Sequence, residues 1–212
     1  MDIVVIVLSA VICYLLGSIS SSILVGRLFG LKDIRKHGSG NAGATNTLRV
    51  LGKKAAIFTV LGDVLKTVLG VLLAKLFAKL FLEGFAAGLS VYISCFAIAF
   101  GHNFPIYFKF KGGKGVLTSG VIIIMLNPFI GTVTVITALA IMAVTKYVSL
   151  GSIIAGIMYP IWIIFYYTSD VTRVVFAVVL GAMLVIRHSA NIKRLLSGTE
   201  SKLGAKKTQS GE

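Results

Sequence analysis

The chain consists of long apolar stretches that are separated by short polar segments. In its first half, apolar stretches cover residues 3–28, 55–82 and 85–104. In its second half, shorter ones cover residues 116–126, 129–145, 150–168 and 171–186. A helix needs about 20 apolar residues to cross a bilayer, and most of these stretches approach or exceed that length. The pattern therefore predicts an all-α integral membrane protein.

The number of predicted spans depends on Asn127 and Pro128, which interrupt the apolar pattern. Before them, residues 116–126 would form a helix of about 17 Å, whereas the hydrocarbon layer is about 30 Å thick. If the pair forms a turn, the chain has seven spans, and most of its 21 Lys and Arg residues fall on one side of the membrane. If the pair is only a kink, the basic tail lies opposite the basic loops. The positive-inside rule therefore predicts seven transmembrane helices, with the N-terminus outside and the C-terminus cytoplasmic.

The composition agrees with a membrane protein and indicates which kinds of binding partner to expect. Of the 212 residues, 57% are hydrophobic and 13% are charged, whereas charged residues make up about 25% of an average soluble domain. The net charge of +14 would suggest nucleic acid in a soluble protein, but here we expect attraction to anionic lipid headgroups or substrates. We expect neither a nucleic-acid partner nor an obligate protein partner. A single transmembrane domain is predicted over 1–203, followed by a disordered basic tail over 204–212.

The most unusual polar segment covers residues 37–46, with the sequence HGSGNAGATN. Its glycines allow backbone N–H groups to turn toward one anion. Thr45 or Asn46 can cap a following helix, whose N-terminal end favours negative charge. On that helix, Arg49 and Lys53 are four residues apart and could contact the same phosphate. The segment therefore predicts a phosphate-binding loop.

Further polar side chains follow other spans on the same predicted face of the membrane. They are His102, Asn103, Lys114, Ser149, His188 and Asn191. Together with the first loop, they place four separate segments at one membrane boundary, rich in Asn, Ser, Arg and Lys and almost without carboxylates. A pocket with many cations and few acids suits a substrate that carries several phosphate charges.

Asp63 and Lys66 lie inside the second apolar stretch. Charged side chains within a membrane helix are costly, and they usually pair with each other or face a site. Being three residues apart, these two can neutralise each other on one helix face. Two interpretations stay open, a structural ion pair that braces the loop and a direct contact with substrate.

Several familiar motifs are incomplete. Residues 38–43 satisfy the dinucleotide pattern G-x-G-x-x-G, but they follow a membrane span and no βαβ unit is present. Neither glycine-rich loop completes a P-loop, and no H-E-x-x-H or cysteine pair suggests zinc. We therefore expect no cofactor and no metal. A small membrane transporter for a phosphorylated anion is the alternative to an enzyme, although transporter sites usually lie near the membrane midplane.

Three motifs give the chain a specific resemblance. They are G-S-G-N-x-G-A-T-N-x-x-R at 38–49, G-H-x-x-P at 101–105 with F-K-G-G-K-G-V at 110–116, and R-H-x-x-N-I-x-R-L-x-x-G-x-E at 187–200. A turn with the sequence Y-V-S-L at 147–150 accompanies them. In these residues, their order and their spacing, the chain resembles the bacterial acyl-phosphate:glycerol-3-phosphate acyltransferase family, PlsY.

The resemblance implies an enzyme of the bacterial cytoplasmic (inner) membrane with its active site at the cytoplasmic face. It would transfer an acyl group from acyl phosphate to the 1-hydroxyl of glycerol 3-phosphate, giving lysophosphatidic acid and inorganic phosphate for phospholipid biosynthesis. The residues implied to bind acyl phosphate are Ser39, Gly40, Asn41, Thr45 and Asn46. Those implied to bind glycerol 3-phosphate are Arg49, Lys114, Ser149, His188 and Asn191. From both sets we assign catalytic roles to Ser39, Asn41, Lys114 and His188, with His102, Asp63 and Lys66 as further candidates.

The proton acceptor is the least defined part of the expected chemistry. Acyl phosphate is a mixed anhydride and already activated, so the reaction needs no covalent acyl-enzyme. It needs positioning of the hydroxyl, stabilisation of the oxyanion and a place for the leaving phosphate. Because no carboxylate or His–Asp pair is available as a base, we favour proton transfer to a phosphate oxygen of the substrate, which is also proposed for the family. A histidine base, His102 or His188, is the alternative.

Overall fold

The computed structural model describes residues 1–204, and every regular element in that range is helical. Its α-helices are α1 (Asp2–Gly17), α2 (Ser21–Leu28), α3 (Ala44–Phe81), α4 (Gly84–Asn103), α5 (Val116–Leu126), α6 (Pro128–Thr145), α7 (Val148–Tyr166), α8 (Val171–Arg187) and α9 (Ser189–Leu196). Single 3-10 turns cover Ile34–Lys36 and Ile106–Phe108. The all-α prediction is confirmed. Apart from Gly204, the predicted tail at 204–212 lies outside the described residues.

Five segments of the described chain are long and apolar enough to cross a membrane. They are Asp2–Leu28, Ala44–Phe81, Gly84–Phe108, Pro128–Thr145 and Val148–Tyr166. A sixth candidate joins α8 and α9, which meet at a bend of 58°. The apolar helix α5 has 11 residues and is shorter than a full crossing. The protein is therefore a multi-pass membrane protein, as the apolar pattern predicts.

The first predicted span is divided in two, which the apolar pattern did not indicate. α1 ends at Gly17 and α2 begins at Ser21, with Ser20 in an extended conformation before it. A helix break inside a membrane leaves carbonyl groups that need donors. Lys66 of α3 is such a donor, because its Nζ lies 3.1 Å from the carbonyl oxygen of Gly17 and 2.6 Å from that of Ile19. The break and Lys66 therefore belong to one local structure.

α3 contains both the predicted short helix after the first polar loop and the predicted second span. Gly52 interrupts it with a φ of 82°, a left-handed conformation that favours glycine. The part before Gly52 carries Arg49, and the part after it is the apolar membrane segment. The predicted order of a short helix followed by a span from about residue 55 is therefore confirmed.

Asn127 and Pro128 form a turn and not a kink. Asn127 has non-helical backbone angles, and Pro128 is the first residue of α6. α5 and α6 pack side by side in opposite directions, since Gly120 faces Val135 while Gly131 meets the α5 backbone nearer the turn. The turn is the arrangement on which the seven-span interpretation depends.

Close packing of α1 against α4 sets the position of the polar loops. A side chain at Gly17 of α1 would collide with the backbone of α4, and one at Gly101 of α4 would collide with the backbone of α1. Small residues at such crossings let membrane helices approach closely. Tyr14 of α1 also donates its hydroxyl to the carbonyl oxygen of Phe104 at 2.9 Å. The end of α4, from which the second polar loop starts, is therefore fixed against α1.

Candidate active site

Asn46 organises the first glycine-rich loop from inside. Its side chain is buried, and its Oδ1 accepts a hydrogen bond from the backbone N–H of Ser39 at 2.8 Å. Its Nδ2 donates to the carbonyl oxygens of Ile34 at 3.3 Å and His37 at 3.0 Å. Gly38 has a φ of 62°, and a side chain there would collide with the Asn46 amide. The loop is therefore shaped by a residue that the sequence predicted to bind acyl phosphate.

The helix after this loop begins before the predicted cap. Gly43 is the N-cap of α3, so Thr45 and Asn46 lie in the first helical turn. The expectation that one of them caps the helix is wrong. The N–H groups of a first helical turn lack intrahelical partners, so the helix start still offers donors to an anion. The exposed or partly exposed residues predicted to bind acyl phosphate are Ser39, Gly40, Asn41 and Thr45.

Arg35 joins the first loop to the second polar loop, which covers residues 104–115. Its guanidinium donates to the carbonyl oxygens of Phe108 at 2.8 Å and Lys111 at 2.7 Å. The same guanidinium pairs with the carboxylate of Asp33 at 2.7 Å. The hydrogen bond from Arg35 lowers the pKa of Asp33, so the pair stays charged at neutral pH. This clamp fixes the two loops relative to each other.

The two loops approach each other closely at Gly113. Its N–H donates to the carbonyl oxygen of His102 at 3.1 Å, and its carbonyl oxygen accepts from the guanidinium of Arg187 at 2.9 Å. A Cβ atom on Gly113 would contact His102 Nε2 and lie 2.6 Å from the carbonyl oxygen of Ala42 in the first loop. We call Ala42, His102 and Gly113 the loop junction. A side chain at its centre would force the loops apart.

Lys114, Ser149 and Asn191 come from three separate segments and meet around one carboxylate. The Lys114 ammonium donates to Oδ1 of Asn191. Asn191 Nδ2 and Ser149 Oγ each donate to Oε1 of Glu200 at 2.7 Å. Arg194 Nε donates to Oε2 of the same carboxylate at 2.7 Å. We call these five residues the Lys114 cluster.

Glu200 and Arg194 are the members of the Lys114 cluster that were not predicted as site residues. The sequence suggested a pocket almost without acids, whereas the structure has a carboxylate, 8% exposed, at its centre. Burial raises the pKa of Glu200, but hydrogen bonds from Ser149, Asn191 and Arg194 outweigh burial and hold the pKa below its usual value. Glu200 is the last residue of the third motif, and Gly198 (φ 68°) turns the chain just before it. The motif therefore contained the signal.

Lys114 is half-buried in a strongly positive environment. Burial is the main reason that the pKa of Lys114 is lowered to about 8. Glu200 opposes this shift, whereas the guanidinium groups of Arg194, Arg187 and Arg49 add to it. Lys114 and the exposed Arg49, both predicted ligands of glycerol 3-phosphate, therefore lie within each other's electrostatic influence.

His188 and His102 both contact a neighbouring group through Nδ1, but the two neighbours differ in chemistry. His188 is buried between α8 and α9, and its Nδ1 lies 2.8 Å from the carbonyl oxygen of Leu184. A carbonyl oxygen only accepts, so Nδ1 carries the proton and Nε2 of the neutral ring is an acceptor. In His102, Nδ1 instead lies 3.0 Å from the Nζ of Lys66. Of the two, His188 has the geometry of a proton acceptor at Nε2.

Asp63 and Lys66 form a buried ion pair with an N–O distance of 2.9 Å. Their side chains are only 3% and 4% exposed, and Asp63 also accepts from the hydroxyl of Ser21 at 2.9 Å. Their described contacts connect the α1–α2 break to His102. The pair therefore adjoins the loop junction and is separate from the Lys114 cluster.

These features define a class: a multi-pass helical membrane protein whose polar loops meet at a cationic cluster around one carboxylate. The family model described as glycerol-3-phosphate acyltransferase matches residues 7–198. The chain belongs to the glycerol-3-phosphate acyltransferase family. It is 43% identical over 201 residues to the enzyme of that name from Clostridioides difficile (strain 630), covering 95% of this chain and 97% of the relative. The enzyme of the same name from Thermoanaerobacter pseudethanolicus is 41% identical, with 94% and 96% covered.

Two solved structures of PlsY, an integral membrane glycerol 3-phosphate acyltransferase, are similar to this chain. The glycerol 3-phosphate form has a TM-score of 0.82 and 35% identity, covering 94% of this chain and 96% of that one. The lysophosphatidic acid form has a TM-score of 0.80 and 34% identity, covering 94% and 95%. The family resemblance read from the three motifs is confirmed. The protein is an acyltransferase, which favours the enzyme over the transporter alternative.

Proposed function

We propose that this acyltransferase takes its acyl group from acyl phosphate and transfers it to the 1-hydroxyl of glycerol 3-phosphate. The products are lysophosphatidic acid and inorganic phosphate. The observation that carries the proposal is the meeting of Lys114, Ser149 and Asn191 next to a glycine-rich loop from a distant part of the chain. The cations suit one phosphate, and the N–H groups of the loop suit a second. Adjacent sites of this kind suit two phosphorylated reactants.

The enzyme lies in the bacterial cytoplasmic (inner) membrane with seven transmembrane helices. Its N-terminus is outside, and its C-terminus and active site are on the cytoplasmic side. In this arrangement α5 is a short fourth crossing and α8 is the seventh, while α9 lies along the membrane surface. The turn between α5 and α6 and the basic loops around the site support this topology. Residues 1–203 form one transmembrane domain.

The Lys114 cluster and its neighbours hold glycerol 3-phosphate. Lys114 and Arg49 give charge-assisted hydrogen bonds to its phosphate. Asn191 donates from Nδ2 to Glu200, and its Oδ1 accepts from the Lys114 ammonium and orients it. The residues proposed to bind this substrate are Arg49, Lys114, Ser149, His188 and Asn191.

The first glycine-rich loop holds acyl phosphate. Asn46 contributes by shaping the loop, because its amide already bonds to three backbone groups. Ser39, Asn41 and the loop N–H groups are donors for the phosphate and for the oxyanion that develops on the acyl carbonyl. The fatty chain leaves between helices toward the bilayer. The residues proposed to bind this substrate are Ser39, Gly40, Asn41 and Thr45, and buried Asn46 positions the loop that carries them.

The transfer proceeds without a covalent acyl-enzyme. The 1-hydroxyl oxygen bonds to the acyl carbon, the bond from that carbon to the phosphate oxygen breaks, and inorganic phosphate leaves. The hydroxyl proton passes to a phosphate oxygen of the substrate, since the carboxylate of Glu200 already accepts three hydrogen bonds. His188 is the alternative proton acceptor through Nε2. Ser39, Asn41 and Lys114 stabilise charge, and the protein's main contribution is to align the reactants.

A reconstituted assay tests the proposal. Purified protein in detergent micelles receives acyl phosphate and glycerol 3-phosphate, and both products are measured. We expect inorganic phosphate and lysophosphatidic acid in equal amounts, and no product when acyl coenzyme A replaces acyl phosphate. Equal use of the two donors would contradict the proposed donor, and phosphate release that does not require glycerol 3-phosphate would contradict the transfer.

A pair of lysine variants tests the site in the same assay. Lys114→Ala should reduce kcat/KM for glycerol 3-phosphate by about 10- to 100-fold, the loss expected for a hydrogen bond to a charged group. Lys193→Ala removes an exposed lysine of α9 and should behave like the wild-type protein. Equal behaviour of the two variants would show that the phosphate site is elsewhere.

A further inference from the structure

A buried polar cluster at the C-terminal end of α4 adjoins the loop junction. It contains Asp63 and Lys66 of α3 and His102 of α4, whose side chains are at most 7% exposed. Lys66 Nζ lies 2.9 Å from Asp63 Oδ1 and 3.0 Å from His102 Nδ1. It also donates to the two carbonyl oxygens at the α1–α2 break. Residues of α1, α3 and α4 and of the α1–α2 break therefore meet around one nitrogen atom.

The surroundings of Lys66 require an ammonium group. Three of its neighbours are oxygens that only accept, namely the Asp63 carboxylate and the carbonyl oxygens of Gly17 and Ile19. An ammonium has a proton for each of them, whereas a neutral amine has one too few. An ammonium also has no lone pair, so the His102 Nδ1 beside it cannot donate to it. The other acceptor beside Nδ1, Asp63 Oδ1, lies 3.8 Å away and is too far for a hydrogen bond. A proton on Nδ1 would therefore face the ammonium without an acceptor, so the proton of the neutral ring is on Nε2.

The protonated nitrogen of His102 lies at the loop junction. A Cβ atom on Gly113 would contact Nε2 and would lie 2.6 Å from the carbonyl oxygen of Ala42. The backbone carbonyl of His102 also accepts from the Gly113 N–H at 3.1 Å. Arg187, at the end of α8, is a further charged group here and donates to the Gly113 carbonyl oxygen at 2.9 Å. His102 therefore meets the second loop through both its ring and its backbone.

We propose that Asp63 and Lys66 hold His102 in the neutral Nε2–H tautomer, and that this N–H is a donor that keeps the two loops in place at their junction. His102 is then a positioning residue and not the proton acceptor of the reaction. Its effect on catalysis rests on the proposed function, in which the loops hold the two reactants. A shift of one loop would separate the reacting atoms, and reaction rates depend strongly on such distances.

The tautomer is measurable without substrate. The protein has three histidines, so 15N-histidine spectra in detergent micelles are simple, and the His102 signals are those lost in His102→Gln. At pH 7 we expect a protonated Nε2 and an unprotonated Nδ1 for His102. The double variant Asp63→Asn, Lys66→Met removes both buried charges together, and the single-tautomer pattern of His102 should be lost in it. A protonated Nδ1 in the wild-type protein, or an unchanged pattern in the double variant, would overturn the proposal.

Two substitutions of His102 test the donor role in the acyltransferase assay. His102→Gln retains an N–H near the position of Nε2, whereas His102→Asn retains a polar atom only near Nδ1. We expect His102→Gln to keep kcat within about threefold and His102→Asn to lose about tenfold or more, with smaller changes in both KM values. An equal loss of kcat in the two variants would refute the donor role.

The spectra and the kinetics distinguish a failure of this inference from a failure of the proposed function. If the spectra show the Nε2–H tautomer but the wild-type protein does not use acyl phosphate, the proposed function is wrong and the role of Asp63 and Lys66 stands. If transfer from acyl phosphate is observed and His102 is protonated at Nδ1, the proposed function stands and this inference is wrong.

Discussion

Lys114 should make the use of glycerol 3-phosphate depend on pH in a range where the substrate does not titrate. Burial lowers the pKa of Lys114 to about 8, whereas the second ionisation of a phosphate monoester occurs at about 6. Between pH 7 and pH 9 the substrate therefore stays dianionic while Lys114 loses its proton. Only the ammonium gives a charge-assisted hydrogen bond to phosphate. We expect kcat/KM for glycerol 3-phosphate to fall as the pH rises through the pKa of Lys114.

The size of the effect follows from the protonated fraction of Lys114. With a pKa of about 8, about nine-tenths of Lys114 is protonated at pH 7 and about one-tenth at pH 9. Because kcat/KM reports the free enzyme, it should fall about tenfold over this range. The fall in kcat should be smaller, since a bound phosphate favours the ammonium and raises the pKa of Lys114 in the complex.

The assay measures initial rates at saturating acyl phosphate and varied glycerol 3-phosphate from pH 7 to pH 9. Reactions without glycerol 3-phosphate correct for spontaneous hydrolysis of the acyl donor. Lys114→Arg is the matched variant, because its guanidinium stays charged throughout. Its kcat/KM should be lower than that of the wild-type protein but independent of pH. A flat wild-type profile, or the same decline in Lys114→Arg, would refute the reasoning.

Four further predictions concern neighbouring parts of the site. Glu200→Gln removes the charge from an acceptor of three hydrogen bonds. KM for glycerol 3-phosphate should therefore rise about tenfold, which corresponds to a loss of about 1.4 kcal/mol of binding free energy. The control Glu83→Gln changes an exposed residue and should leave KM unchanged. The pKa of Glu200 is lowered from its usual 4.5, so the carboxylate's contribution to folding stability is complete above pH 4.5 and is lost as the pH falls through the folded-state pKa. The thermal unfolding temperature of Glu200→Gln should therefore depend less on pH in the acid range than that of the wild-type protein. Gly113→Ala should lose most activity because its Cβ would lie 2.6 Å from a backbone oxygen of the first loop, whereas Gly120→Ala, with its nearest contact at 3.5 Å, should fold and react normally. His188→Gln should lower kcat by less than about tenfold, and a loss of about 100-fold at unchanged KM would instead assign proton transfer to His188.

Hydropathy predicted most of the membrane helices because each polar side chain placed in lipid has its own free-energy cost. A membrane helix must therefore be apolar along most of its length, and this is visible in the sequence. The stretches at 85–104 and 129–145 match the ends of α4 and α6 to within one residue. The break between α1 and α2 was missed because it depends on Lys66, a donor that reaches it from another helix. An apolar pattern along the chain carries no information on whether a distant side chain satisfies a free carbonyl.

The meeting of Lys114, Ser149 and Asn191 was predictable because the predicted order of seven spans places them at one membrane boundary. What the sequence could not indicate is which polar atoms are already occupied. Asn46 has the residue type of a phosphate ligand, but its amide is used within the loop. Glu200 has the wrong charge for an anion site, and yet three donors hold it there. Residue type defines what an atom is able to bind, and only the fold defines what it does bind.

The charge balance of the Lys114 cluster explains how a carboxylate is compatible with the proposed phosphate site. Without Glu200, the ammonium of Lys114 would lie among guanidinium groups that disfavour its charged form. Direct pairing with Glu200 would relieve this repulsion, but a substrate phosphate would then have to displace a carboxylate. Asn191 avoids that conflict, because its amide lies between the two charges and bonds to each. Glu200 thus stabilises the charge of Lys114 from a distance, and the ammonium keeps donors for an incoming phosphate.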